Sequence, residues 1–269
     1  MTAVRALTTA PAGRVAFVGA GPGQADLITL RGAQRLAQAA VVLSDALADP
    51  ALRELAPHAR WLHVGKRGFA DSTGQEAINA LLIKCVREVG NAGLVVRLKG
   101  GDPSVFGRLE EELQAMAAAG IACEVVPGVT AALAAAASAQ RPLTRRGAGR
   151  SVSFATAMTA EVGNVHALPA GRSADTEVYY MAGKQLAALA RKLLRAGWPG
   201  ETEVCVVSRA GWPDELTSDH TVATLGRASM LHAGRPTVVV VGAGARPLNK
   251  VESSVGNKAG APVATALNT

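Results

Sequence analysis

The sequence predicts an α/β chain whose ligand cleft lies at the carboxyl ends of its strands. Short apolar runs alternate with segments of helical periodicity, the pattern of a largely parallel sheet flanked by helices. The runs close in an ordered series of unusual turns: "GAGPG", "SDAL", "VGKRG", "KGGDPSVF", "VVPGVTAA", "YYMAG" and "SRAG". In an open sheet of this class, ligands bind where the strands end. One such turn says little, but a series of them points to a single cleft.

The elements follow in order. "RVAFVGAG" is a strand entering a glycine turn, and "DLITLRGAQRLAQAA" is a helix with Asp26 as its N-cap. "VVLSDAL" and "RWLHVGKRG" are the second and third strands, and "GQEAINALLIKCVREVG" is a helix closed by Gly90. "LVVRLKGGDP" is the fourth strand. A helical run from about Phe106, capped by Gly120, leads to the strand "ACEVVPG". A domain boundary falls near Pro127–Gln140. Beyond it come the alanine-rich helix "TAALAAAASAQ", the strands "SVSFATAM" and "TEVYYMAG", the helix "KQLAALARKLLRAG", and the strands "EVCVVSRAG" and "PTVVVVGAG". Residues 159–176 read as a loop. The tail, 247–269, is rich in Ala, Gly, Asn and Ser and is expected to be mobile.

Composition narrows the function. At 269 residues, 49% hydrophobic and 18% charged, the chain is globular and long enough for one large core or two modest ones. Aromatics make up 3%, too few for the stacking platforms of single-stranded nucleic-acid binding, so no nucleic-acid partner is expected. Cys85, Cys123 and Cys205 lie far apart, which fits buried thiols in a reducing compartment and no metal site. The start, "MTAVRALTTAPAG", lacks the apolar run of a secretory signal, and the longest apolar stretches are too short to cross a bilayer. Cytoplasm is the expected compartment, with no membrane partner. The net charge is +7, and Arg141, Arg145, Arg146 and Arg150 cluster in "RPLTRRGAGR". They are either solvated surface charges or an anion-binding loop suited to carboxylates.

The first glycine turn invites a dinucleotide reading, since it follows a strand, precedes a helix and has Asp45 about where a ribose-binding acid would stand. The pattern breaks at Gln24, which occupies the third glycine position, and Pro22 removes an amide donor from the turn. A nicotinamide-dependent oxidoreductase therefore stays as the weaker alternative.

"VGAGPGQADLITLRG", "VGKRG", "QEAIN", "VVRLKGGDPSVFGR", "EEL", "VVPGVTAA", "PLTRR" and "YYMAG", in this order, resemble the tetrapyrrole (corrin/porphyrin) methylases. The resemblance runs from about Arg14 to Gly244 and is nearest to the branch that acts on uroporphyrinogen III. It implies two α/β domains, 13–128 and 129–246, with a cofactor cleft between them, working as a homodimer. It implies S-adenosyl-L-methionine as cofactor and S-adenosyl-L-homocysteine as product. By matching motif, Pro22, Gly100, Gly101, Asp102 and Val105 would line that site from the first domain, and Thr130, Ala131, Met181 and Ala210 from the second. Asp45 and Lys66 would be proton acceptor and donor.

The activity implied is C-methylation of uroporphyrinogen III at C-2 and C-7, giving precorrin-2 for sirohaem and cobalamin. An electron-rich pyrrole carbon attacks a sulfonium methyl, which needs no metal and no protein nucleophile. The substrate is a polycarboxylate, giving Arg67, Arg145, Arg146 and Arg150 a role in holding it. No dehydrogenase/chelatase segment accompanies this core, so a separate protein is expected to oxidise and metallate the product. Four positions depart from the family pattern: Ser44 for tyrosine, Ser104 for a bulkier residue, and Arg145 and Met158 for histidine. They keep a sibling reading open, a methylase acting on a later corrin intermediate.

Overall fold

The computed structural model describes residues 15–65, 74–90, 93–158 and 171–248. The first half forms a five-stranded sheet from β1 (Val15–Gly19), β2 (Ala39–Ser44), β3 (Arg60–His63), β4 (Leu94–Lys99) and β5 (Cys123–Val126). Its order is β3-β2-β4-β1-β5, and every pairing is parallel, as the alternating pattern requires. Helices cover both faces, which is why the central strands β1, β2 and β4 read as largely apolar runs. Val18, Val96 and Leu98 pack with Leu36 of α1 (Leu30–Ala37). Phe17, Leu43 and Val95 pack on the other side with Leu82 of α2 (Gln75–Val89) and Met116 of α3 (Leu109–Ala118).

Two helix starts differ from expectation. Asp26 lies in a short 3-10 turn, Ala25–Leu27, and does not cap α1. Thr29 is the N-cap, extended in backbone, its hydroxyl accepting from Gly32 N at 3.2 Å. The third helix begins at Leu109 and not near Phe106, because Phe106 and Arg108 are both left-handed (φ 51° and 54°) and no helix can run through them. Gly90 and Gly120 end their helices with φ of 67° and 68°, as expected.

The second half is mixed, not parallel. Its strands are β6 (Val152–Thr156), β7 (Thr176–Tyr180), β8 (Glu203–Ser208), β9 (Leu216–Thr221) and β10 (Thr237–Gly242), in the order β6-β7-β10-β8-β9. Only β6 and β7 are parallel, and β10 runs against both β7 and β8. The polar strand β9 was not foreseen. It pairs antiparallel with β8 because the loop between them, 209–215, is too short for a crossover. One face of this sheet packs on α5 (Leu186–Arg195) through Val206, Val239 and Val241, and the other on α4 (Ala131–Ser138) through Val178, Val207 and Val240. Since β7 and β8 both oppose β10, their carboxyl ends share one side, where "YYMAG" and "SRAG" emerge.

All three cysteines are free, and burial pushes the Cys123 and Cys205 thiols up to about 11. No helix among the described residues is long and apolar enough to cross a membrane. Lys66, Arg67, residues 159–170 of the expected loop and the tail beyond Leu248 lie outside the described residues.

Candidate functional site

Three turns of the first sheet meet in backbone contact. A Cβ on Gly19 would stand 2.6 Å from Gly128 Cα and 2.7 Å from Gly101 O, and one on Gly128 would stand 2.3 Å from Gly101 O. Gly21 and Gly101 exchange both backbone hydrogen bonds (3.2 and 2.7 Å) across an isolated bridge. Asp102 straps the junction: one carboxylate oxygen accepts from Gly128 N at 2.9 Å, the other from Ser104 N at 2.8 Å and from the Ser104 hydroxyl. Asp102 thus spends most of its acceptor capacity on the protein, beyond the cofactor role its motif suggested. Gly101 itself (φ 71°) is less crowded: a Cβ there would only touch Val129 O, Thr130 Cα and Ala131 N, each at 4.0 Å, at the amino end of α4.

The first glycine turn has little to offer a pyrophosphate. Ala20 N donates to Lys99 O, Gly21 N to Gly101 O and Gln24 N to Gly211 O, while Pro22 has no N–H. Its donors are largely committed to protein carbonyls, which removes the basis of the nicotinamide reading.

Asp45, at the end of β2, accepts from Gly100 N at 2.9 Å and from Leu47 N at 3.1 Å, so it fixes the start of the "GGDP" turn. Behind that turn lies a buried ionic triad. Glu112 of α3 is fully buried and takes Arg97 Nε at 2.9 Å and Lys99 Nζ at 2.6 Å. Arg97 also donates to Leu43 O and Leu98 O. Desolvation, and then the neighbouring Arg97, hold the Lys99 ammonium below the ordinary lysine range despite Glu112 and Asp45 nearby.

The second half closes the cleft. The Thr130 and Tyr180 hydroxyls bond at 2.7 Å, linking α4 to the end of β7. Phe106 reaches across from the first half to Tyr180 (centroids 4.9 Å, tilted), and Phe154 meets the same ring edge-on at 5.7 Å. Met181 (φ 56°) and Met158 stand about half exposed beside them, whereas Ala210 is buried at the end of β8. Val105 and Ala131 pack partly buried on the same core. Below Ala210, fully buried His232 is held by Ser208 Oγ at 2.6 Å and Ser218 Oγ at 2.8 Å.

A family model for the tetrapyrrole (corrin/porphyrin) methylases matches residues 14–226. The chain belongs to the tetrapyrrole methylase family. It is 42% identical over 221 residues to a uroporphyrinogen-III C-methyltransferase of Paracoccus denitrificans, covering 80% of this chain and 75% of the relative. A siroheme synthase of Baumannia cicadellinicola is 43% identical over 237 residues, 86% of this chain and 50% of the relative. The methylase therefore spans about half the length of the siroheme synthases it matches. Among solved structures, a uroporphyrin-III C-methyl transferase of Thermus thermophilus complexed with S-adenyl homocysteine superposes with a TM-score of 0.73 at 35% identity, covering 86% of this chain and 97% of that one.

In this tetrapyrrole methylase, Pro22, Asp45, Gly100, Gly101, Asp102, Val105, Met181 and Ala210 fall on loops that follow the strands, and Thr130 and Ala131 open α4 after β5. The arginine loop does not gather with them. Arg145 donates to Arg246 O beyond β10, and Arg150 N donates to Asp175 at the amino end of β7, opposite Met181. Arg141 forms a bidentate pair with Asp219 of β9, and Arg146 is exposed. Sequence reasoning missed the Phe106, Phe154 and Tyr180 cluster, having used the scarce aromatics only to exclude nucleic-acid stacking. It also missed the triad, whose signal was two charges, Arg97 and Lys99, alternating in an otherwise apolar strand.

Proposed function

We propose that the chain methylates uroporphyrinogen III at C-2 and C-7 with S-adenosyl-L-methionine, yielding precorrin-2 and S-adenosyl-L-homocysteine, as a cytoplasmic homodimer of two-domain subunits (13–128 and 129–246). The observation that carries this is the meeting of the Gly19, Gly101 and Gly128 turns beside the amino end of α4, in a chain 42% identical to a uroporphyrinogen-III C-methyltransferase. The residues fit the cofactor: a helix amino end suits its carboxylate, and bare glycine lets its chain lie against the backbone. Pro22 offers only its ring, and Met181 an apolar thioether at the rim. When bound, the cofactor supplies an electrophilic methyl group.

The chain's own work is then positional. The Gly19, Gly101 and Gly128 junction fixes the cofactor loop against the sheet, and the aromatic cluster gives the macrocycle an apolar wall. Holding donor and acceptor in line is worth roughly 7–11 kcal/mol in favourable cases. Asp45 would accept the proton that the macrocycle loses after methyl transfer, and Lys66 would return protons elsewhere on it. Arg67 is the arginine to hold substrate carboxylates, while the loop of Arg145, Arg146 and Arg150 lies apart from the other site residues, with the Arg146 and Arg150 side chains exposed and Arg145 bonded to Arg246 O.

Anaerobic incubation of the purified protein with S-adenosyl-L-methionine and uroporphyrinogen III tests the proposal. Products heavier by two methyl groups support it. Cofactor binding without methylation of this acceptor turns the reading to a later corrin intermediate, which Met158 and Arg145 in the altered positions favour. No cofactor binding refutes both.

A further inference from the structure

The loop 209–215 joins the two halves at the turn that carries Pro22. Gln24 N donates to Gly211 O at 2.9 Å, and the Trp212 indole N–H donates to Pro22 O at 3.1 Å. Proline has no N–H, so that carbonyl is its one backbone polar group, and Trp212 takes it. The two loops touch so closely that a Cβ on Gly23 would stand 2.2 Å from Gly211 O. The loop is also braced from within. Arg209 lies over the Trp212 ring at 4.5 Å and bonds Asp214 at 2.7 Å. Glu215 accepts from Gly211 N at 2.9 Å and from the Ser138 hydroxyl at the end of α4. Nothing in this arrangement is needed to build either sheet. It spans two loops that flank the cleft, one bearing Pro22 and the other Ala210.

We infer that the 209–215 loop is a clasp and that Trp212 is a positioning residue, holding the Pro22 turn where it can close on the cofactor. Trp212 acts on the cofactor through Pro22 and is not itself a catalytic residue. The inference rests on the methylase reading above. It also assigns a signal. Trp61 donates to Ala56 O, and Trp198 is buried against Glu177, so both are committed away from the cleft. Any change in tryptophan emission on cofactor binding belongs to Trp212.

The test uses S-adenosyl-L-homocysteine as the probe, by calorimetry and tryptophan emission, on the wild type, Trp212→Phe and Gly23→Ala. The phenylalanine keeps a ring but loses the donor. Its affinity for the probe is expected to fall roughly fivefold to tenfold, the worth of one hydrogen bond, with the emission change lost and the KM for the tetrapyrrole unmoved. Gly23→Ala forces the same loops apart without touching Trp212 and must weaken the probe in the same direction, which keeps the test open if the first variant fails to fold. Wild-type affinity in a folded variant, or a full emission change in Trp212→Phe, overturns the clasp. A wild type that binds no probe refutes the methylase reading instead.

Discussion

His232 makes acid stability predictable. The ring is fully buried between Ser208 and Ser218, and desolvation, with lesser repulsion from His220 and Arg235, lowers its pKa to about 4 from an ordinary 6.5. The unfolded chain therefore takes up the proton first. Stability is fully present above the unfolded value, drains away as pH falls through 6.5, and stops draining near 4. Between pH 7 and pH 4.5 the loss from this one group comes to about 2 kcal/mol, each pH unit inside the window being worth at most about 1.4 kcal/mol. The assay is urea unfolding of the wild type and His232→Gln at pH 7 and pH 4.5, followed by the emission of buried Trp198 in the same half. Glutamine cannot take the proton, so its deficit at neutral pH should shrink by about 2 kcal/mol on acidification. Equal losses in the two proteins would refute the reasoning, since all other titrating groups are common to both. The strand that Ser208 ends leads directly into Arg209 and Ala210, so acid should also weaken cofactor affinity before the first half unfolds.

Other outcomes follow from the same geometry. Glu112→Gln leaves two buried cations without their carboxylate and should cost about 3–5 kcal/mol, a thermal midpoint lower by on the order of 10 °C. Lys99→Met leaves a balanced Arg97–Glu112 pair and should cost clearly less, and calorimetric scans of the two check the order. Gly128→Ala places a Cβ 2.3 Å from Gly101 O; circular dichroism should show a retained fold while S-adenosyl-L-homocysteine affinity drops more than about tenfold, the loops being forced apart. Asp45→Asn keeps an acceptor for Gly100 N but not a base. Turnover should fall by roughly 10²–10⁴ with cofactor affinity within about twofold of wild type, measured by stopped assay and calorimetry.

The first sheet was legible because helices bury both of its faces, so its central strands β1, β2 and β4 are largely apolar. Strand β9 was not, because "LTSDHT" lies at a sheet edge and is only half covered. Hydrophobic patterning has no purchase on such a strand. The start of α3 was misplaced for a different reason. Left-handed Phe106 is tied to Tyr180, a contact between residues far apart in sequence that no local rule contains. At the site, residue types were readable and partners were not. Glycines marked close approach, yet that Gly19 meets Gly128 follows only from neighbouring strands in the sheet. The arginines show the limit most clearly. Arg141 could be read as a surface charge or as part of an anion-binding loop, and proves to be pinned by Asp219, a carboxylate supplied by the strand that patterning had not revealed.

The meeting of Gly19, Gly101 and Gly128 has a consequence for how such a chain can change over time. A crowded contact between larger side chains can be repaired by trimming a neighbour. Here each neighbour is already the smallest residue, so no second substitution rescues the first. The floor of the cleft is thereby frozen, while Ser104, Met158 and Met181 on its rim face open space and can be exchanged one at a time. Novelty in the acceptor is confined to the rim, and the floor is where a distant cousin of this chain would be recognised.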